Sequence, residues 1–229
     1  MLGVVVNTVA VIIGSLIGTL CKKGIPHRLS SAIMIGIGLC TIYIGIDGML
    51  CDSEPIVAIV SLVIGALIGT LLNIDFRLNR VGERLSAKLA KNGENRLAEG
   101  FVTATLLFCV GAMAIVGSLS AGLHGDNSML YTKSVLDFTS SLMLSSTFGI
   151  GVMLAAIPLT VYQGVICLAS GFLEPFLSGG AIAAISCVGS IIIMGLGFNL
   201  VGISKLKIAD YLPAILVAPF IFYLFDFLM

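Results

Sequence analysis

Lys133 and Asp137 stand four residues apart in "GDNSMLYTKSVLDFTSSLMLSSTFGIG", residues 125–151 of an otherwise strongly apolar chain. On a helix that spacing puts an ammonium and a carboxylate on one face, where they can pair. Ser134, Thr139, Ser140, Ser141, Ser145, Ser146 and Thr147 spread hydroxyls over more than one face of the same segment. Such a set suits recognition of a small polar or ionic solute. An ionisable group at membrane depth is costly, faces a bundle interior or water, and so marks a pathway. Two plainer readings compete: Lys133 could snorkel to a nearby interface, and Ser and Thr can bond their own helix backbone. Asp137, one turn deeper, is explained by neither.

Other polar residues fall within apolar runs: Asn7, Asp47, Gln163 and Asn199. A carboxylate in low dielectric gains proton affinity, which suits proton coupling; Asn and Gln also serve as hydrogen-bonding glue between helices. The candidate substrate-binding set is therefore Lys133, Asp137, Ser134, Ser140, Ser141, Asn7, Asp47, Gln163 and Asn199. No HExxH, GxSxG or paired catalytic carboxylates are present, so the chain does not read as an enzyme. Cys21, Cys40, Cys51, Cys109, Cys167 and Cys187 lack CxxC spacing, and His27 and His124 lie far apart. No metal and no cofactor is expected.

A membrane bundle has to position these residues. The 229 residues are 58% hydrophobic and 10% charged, whereas soluble domains run at about a quarter charged. A hydrocarbon core takes roughly 20 apolar residues per helix, and eight such runs fall near 2–21, 30–50, 55–73, 100–122, 131–149, 152–170, 180–202 and 209–228. They are continuous and rich in Gly and Ala, unlike the short alternating segments of a barrel. The expected fold is an all-α polytopic membrane protein, one integral domain over 1–229. Residues 74–99 form a basic amphipathic connection inside it, suited to an interface with anionic lipid.

All but one of the 12 basic residues fall between runs one and two, three and four, or seven and eight. Short loops rich in Lys and Arg stay cytoplasmic, so both termini are expected outside; Lys133 is the exception. Lys22 and Lys23 follow the first apolar run instead of preceding it, which makes that run a permanent helix and not a cleaved signal. The 27 glycines include Gly14/Gly18 and Gly65/Gly69, at the spacing that lets helix backbones touch. Between runs five and six no polar loop marks a turn, so the turn is very tight or the segments are re-entrant around a cavity. "IGIDGML" (44–50) and "LGFNLVG" (196–202) align Gly45 with Gly197 and Asp47 with Asn199. Runs two and seven point in opposite directions, so the match suggests an inverted repeat of spans 1–3 and 6–8, a transporter trait. Glycine-rich faces on eight spans would also suit a homodimer.

"VNTVAVIIGSLIGTLCKKGIPHRL" (6–29), "GLCTIYIGI" (38–46), "LFCVGAMAIVGSLSAGLHGD" (107–126), "KSVLDF" (133–138) and "LPAILVAP" (212–219) resemble the DUF554 family, whose bacterial members are labelled YqgA-like or transport proteins. The resemblance runs over nearly the whole chain. It implies a prokaryotic inner-membrane, multi-pass protein and supplies no substrate. Its pattern falls on Asn7, Gly14, Gly18, Pro26, Arg28, Gly125, Asp126, Lys133, Ser134 and Asp137, and leaves out Asp47. The expected function is a secondary transporter or facilitator of a small polar or ionic solute, with a polar cavity lined by spans five and six. The alternatives are a channel, or a membrane scaffold whose buried polar groups only hold helices together. The expected partners are that solute and the lipid bilayer, with no nucleic acid.

Overall fold

The computed structural model describes residues 1–22, 27–50, 53–89, 96–109 and 112–228. Lys23, Pro26, Cys51, Asp52 and Lys91 lie outside the described residues. Among those described, the chain runs through helices α1 (Leu2–Lys22), α2 (His27–Met49), α3 (Pro55–Leu72), α4 (Ile74–Leu89), α5 (Arg96–Cys109) and α6 (Ala112–Leu123). It continues through α7 (Ser128–Phe148), α8 (Gly151–Leu154), α9 (Ala156–Leu168), α10 (Ser170–Leu173), α11 (Gly179–Val201) and α12 (Pro213–Leu228). Single 3-10 turns occupy Glu174–Phe176 and Ile208–Tyr211. The expected all-α architecture is present.

Among the described residues six segments are long and apolar enough to cross a membrane: Leu2–Cys21, Ser31–Met49, Pro55–Leu72, Gly151–Leu168, Gly179–Val201 and Ile208–Leu228. Leu97–Cys109 and Met113–Leu123 make a seventh if counted as one span bent by 57°. The sequence reading expects eight. The difference is α7, whose 21 residues reach about 31 Å at 1.5 Å per residue but carry too many polar groups to qualify by composition.

Three close seams order the bundle, and each is set by glycine. α1 and α7 run parallel, with Gly3 beside Asn127, Gly14 beside Phe138 and Ser141, and Gly18 beside Leu142 and Ser145. A Cβ on Gly18 would run into the Leu142 carbonyl oxygen. α2 and α11 run antiparallel, with Gly38 against Val201, Gly45 against Met194 and Gly48 against Ser190. α3 and α12 are antiparallel too, joined where Gly65 meets Ala214 and Gly69 meets the Asp210 carbonyl. Without a hydrophobic force between helices in lipid, such backbone approach is what dispersion needs.

The turn between α7 and α9 is tight. Gly149 ends α7 at φ 80°, ψ −152°, a conformation essentially closed to residues with a Cβ. α9 then returns antiparallel to α1, since Asn7 meets Gln163 and Thr8 meets Thr160. The break at Ala155 between α8 and α9 follows from Pro158, which has no N–H for the Leu154 carbonyl and whose ring crowds it. Regular bonding resumes with Leu159 N–H donating to Ala155 O at 3.1 Å.

Gly18→Ala should lower the unfolding free energy by about 1–3 kcal/mol through overpacking. Gly36→Ala, where a Cβ meets nothing within 4 Å, should leave it unchanged or raise it. Unfolding of the purified protein in detergent compares the two; equal effects would refute a glycine-set α1–α7 seam.

Candidate functional site

The parallel seam brings α1 and α7 into register, and the α7–α9 hairpin closes the third side. At their meeting point Lys133 Nζ donates to Asp137 Oδ1 at 2.9 Å and to Oδ2 at 2.8 Å. Asn7 Nδ2 donates to Asp137 Oδ2 at 2.9 Å and to Gln163 Oε1 at 3.2 Å. Lys133 and Asp137 are 7% and 5% exposed, and Asn7 and Gln163 are fully enclosed. The pair therefore does not snorkel; it lies inside the bundle.

The carboxylate dictates the rest of the cluster. An ionised Asp only accepts, so Asn7 must turn its amide nitrogen to it, and the second hydrogen of that nitrogen obliges Gln163 to present its oxygen. Among the described residues, Asn7 Oδ1 and Gln163 Nε2 are then left buried with no hydrogen-bond partner. Each such orphan costs about 1–3 kcal/mol. A closed cluster thus retains one free acceptor and one free donor beside a compensated charge pair. Cys109, at the α5–α6 bend, lies within electrostatic reach of both Lys133 and Asp137.

Four of the nine expected site residues, Asn7, Lys133, Asp137 and Gln163, come together. Ser134 donates to Leu130 O and Ser141 to Phe138 O, while Ser145 and Ser146 bond Ser141 O and Met143 O. The expected hydrated hydroxyl wall on α7 is therefore absent at these residues, because helical Ser satisfies itself on the preceding turn. Ser140 is half-buried on α7. Asp47 is a correction: it is exposed near the end of α2, away from the cluster. Asn199 is another. Its Oδ1 accepts from Ser204 Oγ at 2.7 Å and Leu206 N at 2.8 Å, and its Nδ2 donates to Leu206 O at 2.8 Å, so it organises the loop after α11.

A separate cavity of about 670 Å³ opens between α2, α4, α5 and the end of α11, lined among others by Asp75, Asn79, Glu83, Glu99, Thr103 and Asn199. None of the four clustered residues lines it. It reaches Leu106, one turn of α5 from Cys109. The sequence reading treats 74–99 as a basic amphipathic connection suited to a lipid interface; the missed signal is the spacing of Asp75, Asn79 and Glu83, every fourth residue and so on one helix face. Asp75 Oδ2 accepts from Asn79 Nδ2 at 3.0 Å, and its backbone N–H donates to Asp210 Oδ1 at 2.8 Å. Burial, then the neighbouring Asp210 carboxylate, push the Asp75 pKa up from its ordinary 3.8.

The chain matches the family described as "Protein of unknown function (DUF554)" over residues 2–223. It belongs to this family. It is 38% identical over 227 residues to "Uncharacterized membrane protein YdfK" of Bacillus subtilis (strain 168), covering 97% of this chain and 96% of that protein. It is 28% identical over 222 residues to "Uncharacterized protein YqgA" of Escherichia coli (strain K12), covering 95% and 94%. No solved structure matches. With a membrane-protein relative of nearly equal length and six apolar helices, this member of DUF554 is a multi-pass membrane protein.

Removing one partner of a buried ion pair costs about 3–5 kcal/mol. Lys133→Met and Asp137→Asn should each destabilise on that scale, and the double variant by clearly less than the sum, as read by denaturant-induced unfolding. Strictly additive losses would mean the pair is not coupled. A raised carboxyl pKa means the folded state binds the proton more tightly, so stability falls as pH rises through that range. Asp75→Asn should therefore melt higher than the parent at pH 7, with the gain vanishing below about pH 4; thermal melts at stepped pH decide.

Proposed function

We propose that this DUF554 member is a secondary transporter or facilitator of a small polar or ionic solute, with Asn7, Lys133, Asp137 and Gln163 as its central site. The observation that carries the reading is the unpaired acceptor Asn7 Oδ1 and unpaired donor Gln163 Nε2 beside a fully enclosed ion pair. Ser15, Ser61, Ser118 and Thr147 also bury an unpaired hydroxyl among the described residues; what sets these two apart is that they adjoin the buried ion pair, where a guest can meet an acceptor, a donor and charge together. Closure of the cluster on all sides favours a gated carrier over a channel, which needs a continuous wet path. The 57° bend between α5 and α6 beside the cluster supplies a discontinuous segment of the kind carriers use. Gly45 packs on Met194 while its aligned partner Gly197 packs on Ile42, a reciprocity that supports an inverted repeat about the α2–α11 seam. In this reading the protein is no enzyme, and the basic loops face the cytoplasm with both termini outside the inner membrane.

The test is a thermal-shift screen of the purified protein against metabolites and ions at several pH values. It is run beside the charge-free double variant Lys133→Met/Asp137→Asn, which keeps the site neutral. A ligand at a hundredfold its Kd should stabilise the parent by about 2.7 kcal/mol and the variant not at all. The hit should then be taken up by proteoliposomes of the parent only. A folded variant that binds and transports like the parent would remove the site; stabilisation by no compound, with loss of a protein partner in the variant, would favour a scaffold.

A further inference from the structure

The cavity between α2, α4, α5 and α11 is built with one sign of charge. Asp75 and Glu83 reach it from α4 and Glu99 from the first turn of α5. Among the described residues no ion pair neutralises any of the three; the ion pair found among them is that of Lys133 with Asp137. Lys207 acts on Asp75 at longer range, more weakly than burial and Asp210 do. The arginines of α4 do not line it: Arg77, Arg80 and Arg84 are absent from its wall, though exposed as Glu83 and Glu99 also are, and Arg80 stacks its guanidinium 4.4 Å over the Phe76 ring. Low-dielectric walls focus such a field and raise the local concentration of cations.

Thr103 adds an independent sign of a guest. It lines the cavity and is 6% exposed, yet its hydroxyl makes no hydrogen bond among the described residues. Thr105 on the same helix donates to Phe101 O as helical Thr ordinarily does. The Thr103 hydroxyl is thus an unclaimed hydrogen-bonding group, nearly buried, in the wall of an acidic chamber. Its size falls in the range of about 300–1,000 Å³ typical of small-molecule sites. Among the described residues no three His, Cys, Asp or Glu converge to hold a metal ion, so the carboxylates act as a field and not as a coordination shell. A metal ion would have to lose water without oxygen ligands in return; an ammonium group keeps its hydrogen bonds to scattered carboxylates and a hydroxyl.

We propose that this chamber binds a small organic cation, an ammonium-bearing solute, between Glu83, Glu99, Asp75 and Thr103. Its role as antechamber to the Lys133–Asp137 cluster rests on the transport reading above; its occupancy does not. The test uses Thr103→Cys as reporter in the full-length protein, with labelling at position 103 followed by peptide mass spectrometry so that native cysteines can stay. The probes are a trimethylammonium-ethyl and a sulfonatoethyl methanethiosulfonate, with rates normalised to a free thiol. The cationic reagent should label faster by about tenfold or more, and Glu83→Gln/Glu99→Gln should bring the ratio close to one. 1,4-Diaminobutane should slow labelling severalfold more than magnesium at equal concentration and equal ionic strength.

A ratio near one in the parent, a ratio untouched by the Gln substitutions, or equal protection by magnesium would each overturn the proposal. Should Thr103→Cys fail to fold, Ala98→Cys reports on the same chamber. Labelling requires no solute flux, so a negative ligand screen with a cation-selective chamber would sink the transporter alone. A positive screen with an unselective chamber would sink this inference alone.

Discussion

A carboxylate inside a bundle must be surrounded by donors, and Asp137 obtains them from its own helix and from α1. Lys133 supplies charge from one turn away, and Asn7 supplies an amide from the opposite end of the sequence. Asn7 could not reach if α1 and α7 stood at the spacing of ordinary leucine-faced helices. The glycines at positions 3, 14 and 18 remove that spacing, so the seam and the Asn7–Asp137 bond are two parts of one constraint. Gln163 then follows from Asn7, whose amide hydrogen it accepts, and this fixes how the α7–α9 hairpin leans on α1.

Polarity along α7 is divided by depth. Its N-terminal half carries the charge pair, while its C-terminal half carries serines folded back on their own carbonyls. The hydroxyls lower the apolarity of the helix without creating a wet surface. That is why α7 fails as a span by composition while being among the most enclosed helices of the bundle, with Leu130, Leu144 and Phe148 fully buried on it.

Much of this was legible in the sequence. The apolar runs show the all-α, multi-pass architecture, because burial in lipid leaves helices as the only economical backbone, although eight runs are expected where six spans, or seven with the bent pair, qualify among the described residues. Lys133 and Asp137 were found by spacing, and Asn7 and Gln163 by their polarity at depth. What spacing along a chain cannot convey is azimuth relative to partner helices. Asp47 reads as deep as Asp137 yet faces outward, and Asn199, in the last turn of α11, ties down the loop that follows it. The acidic chamber is hidden for a related reason: Asp75, Glu83 and Glu99 are interspersed with Arg77, Arg80, Arg84 and Arg96 in a segment that reads as basic, and composition merges faces that geometry separates.

Asn7 and Asp137 are 130 residues apart. At about 5–20 residues per second of synthesis, α1 waits on the order of ten seconds in the bilayer before its carboxylate partner emerges. During that interval the Asn7 amide has no α7 to bond, and the glycine face of α1 has no helix to receive. The central cluster is consequently a late product of biogenesis, made only once three intervening spans have been inserted, and its assembly depends on whatever shields α1 from lipid in the meantime.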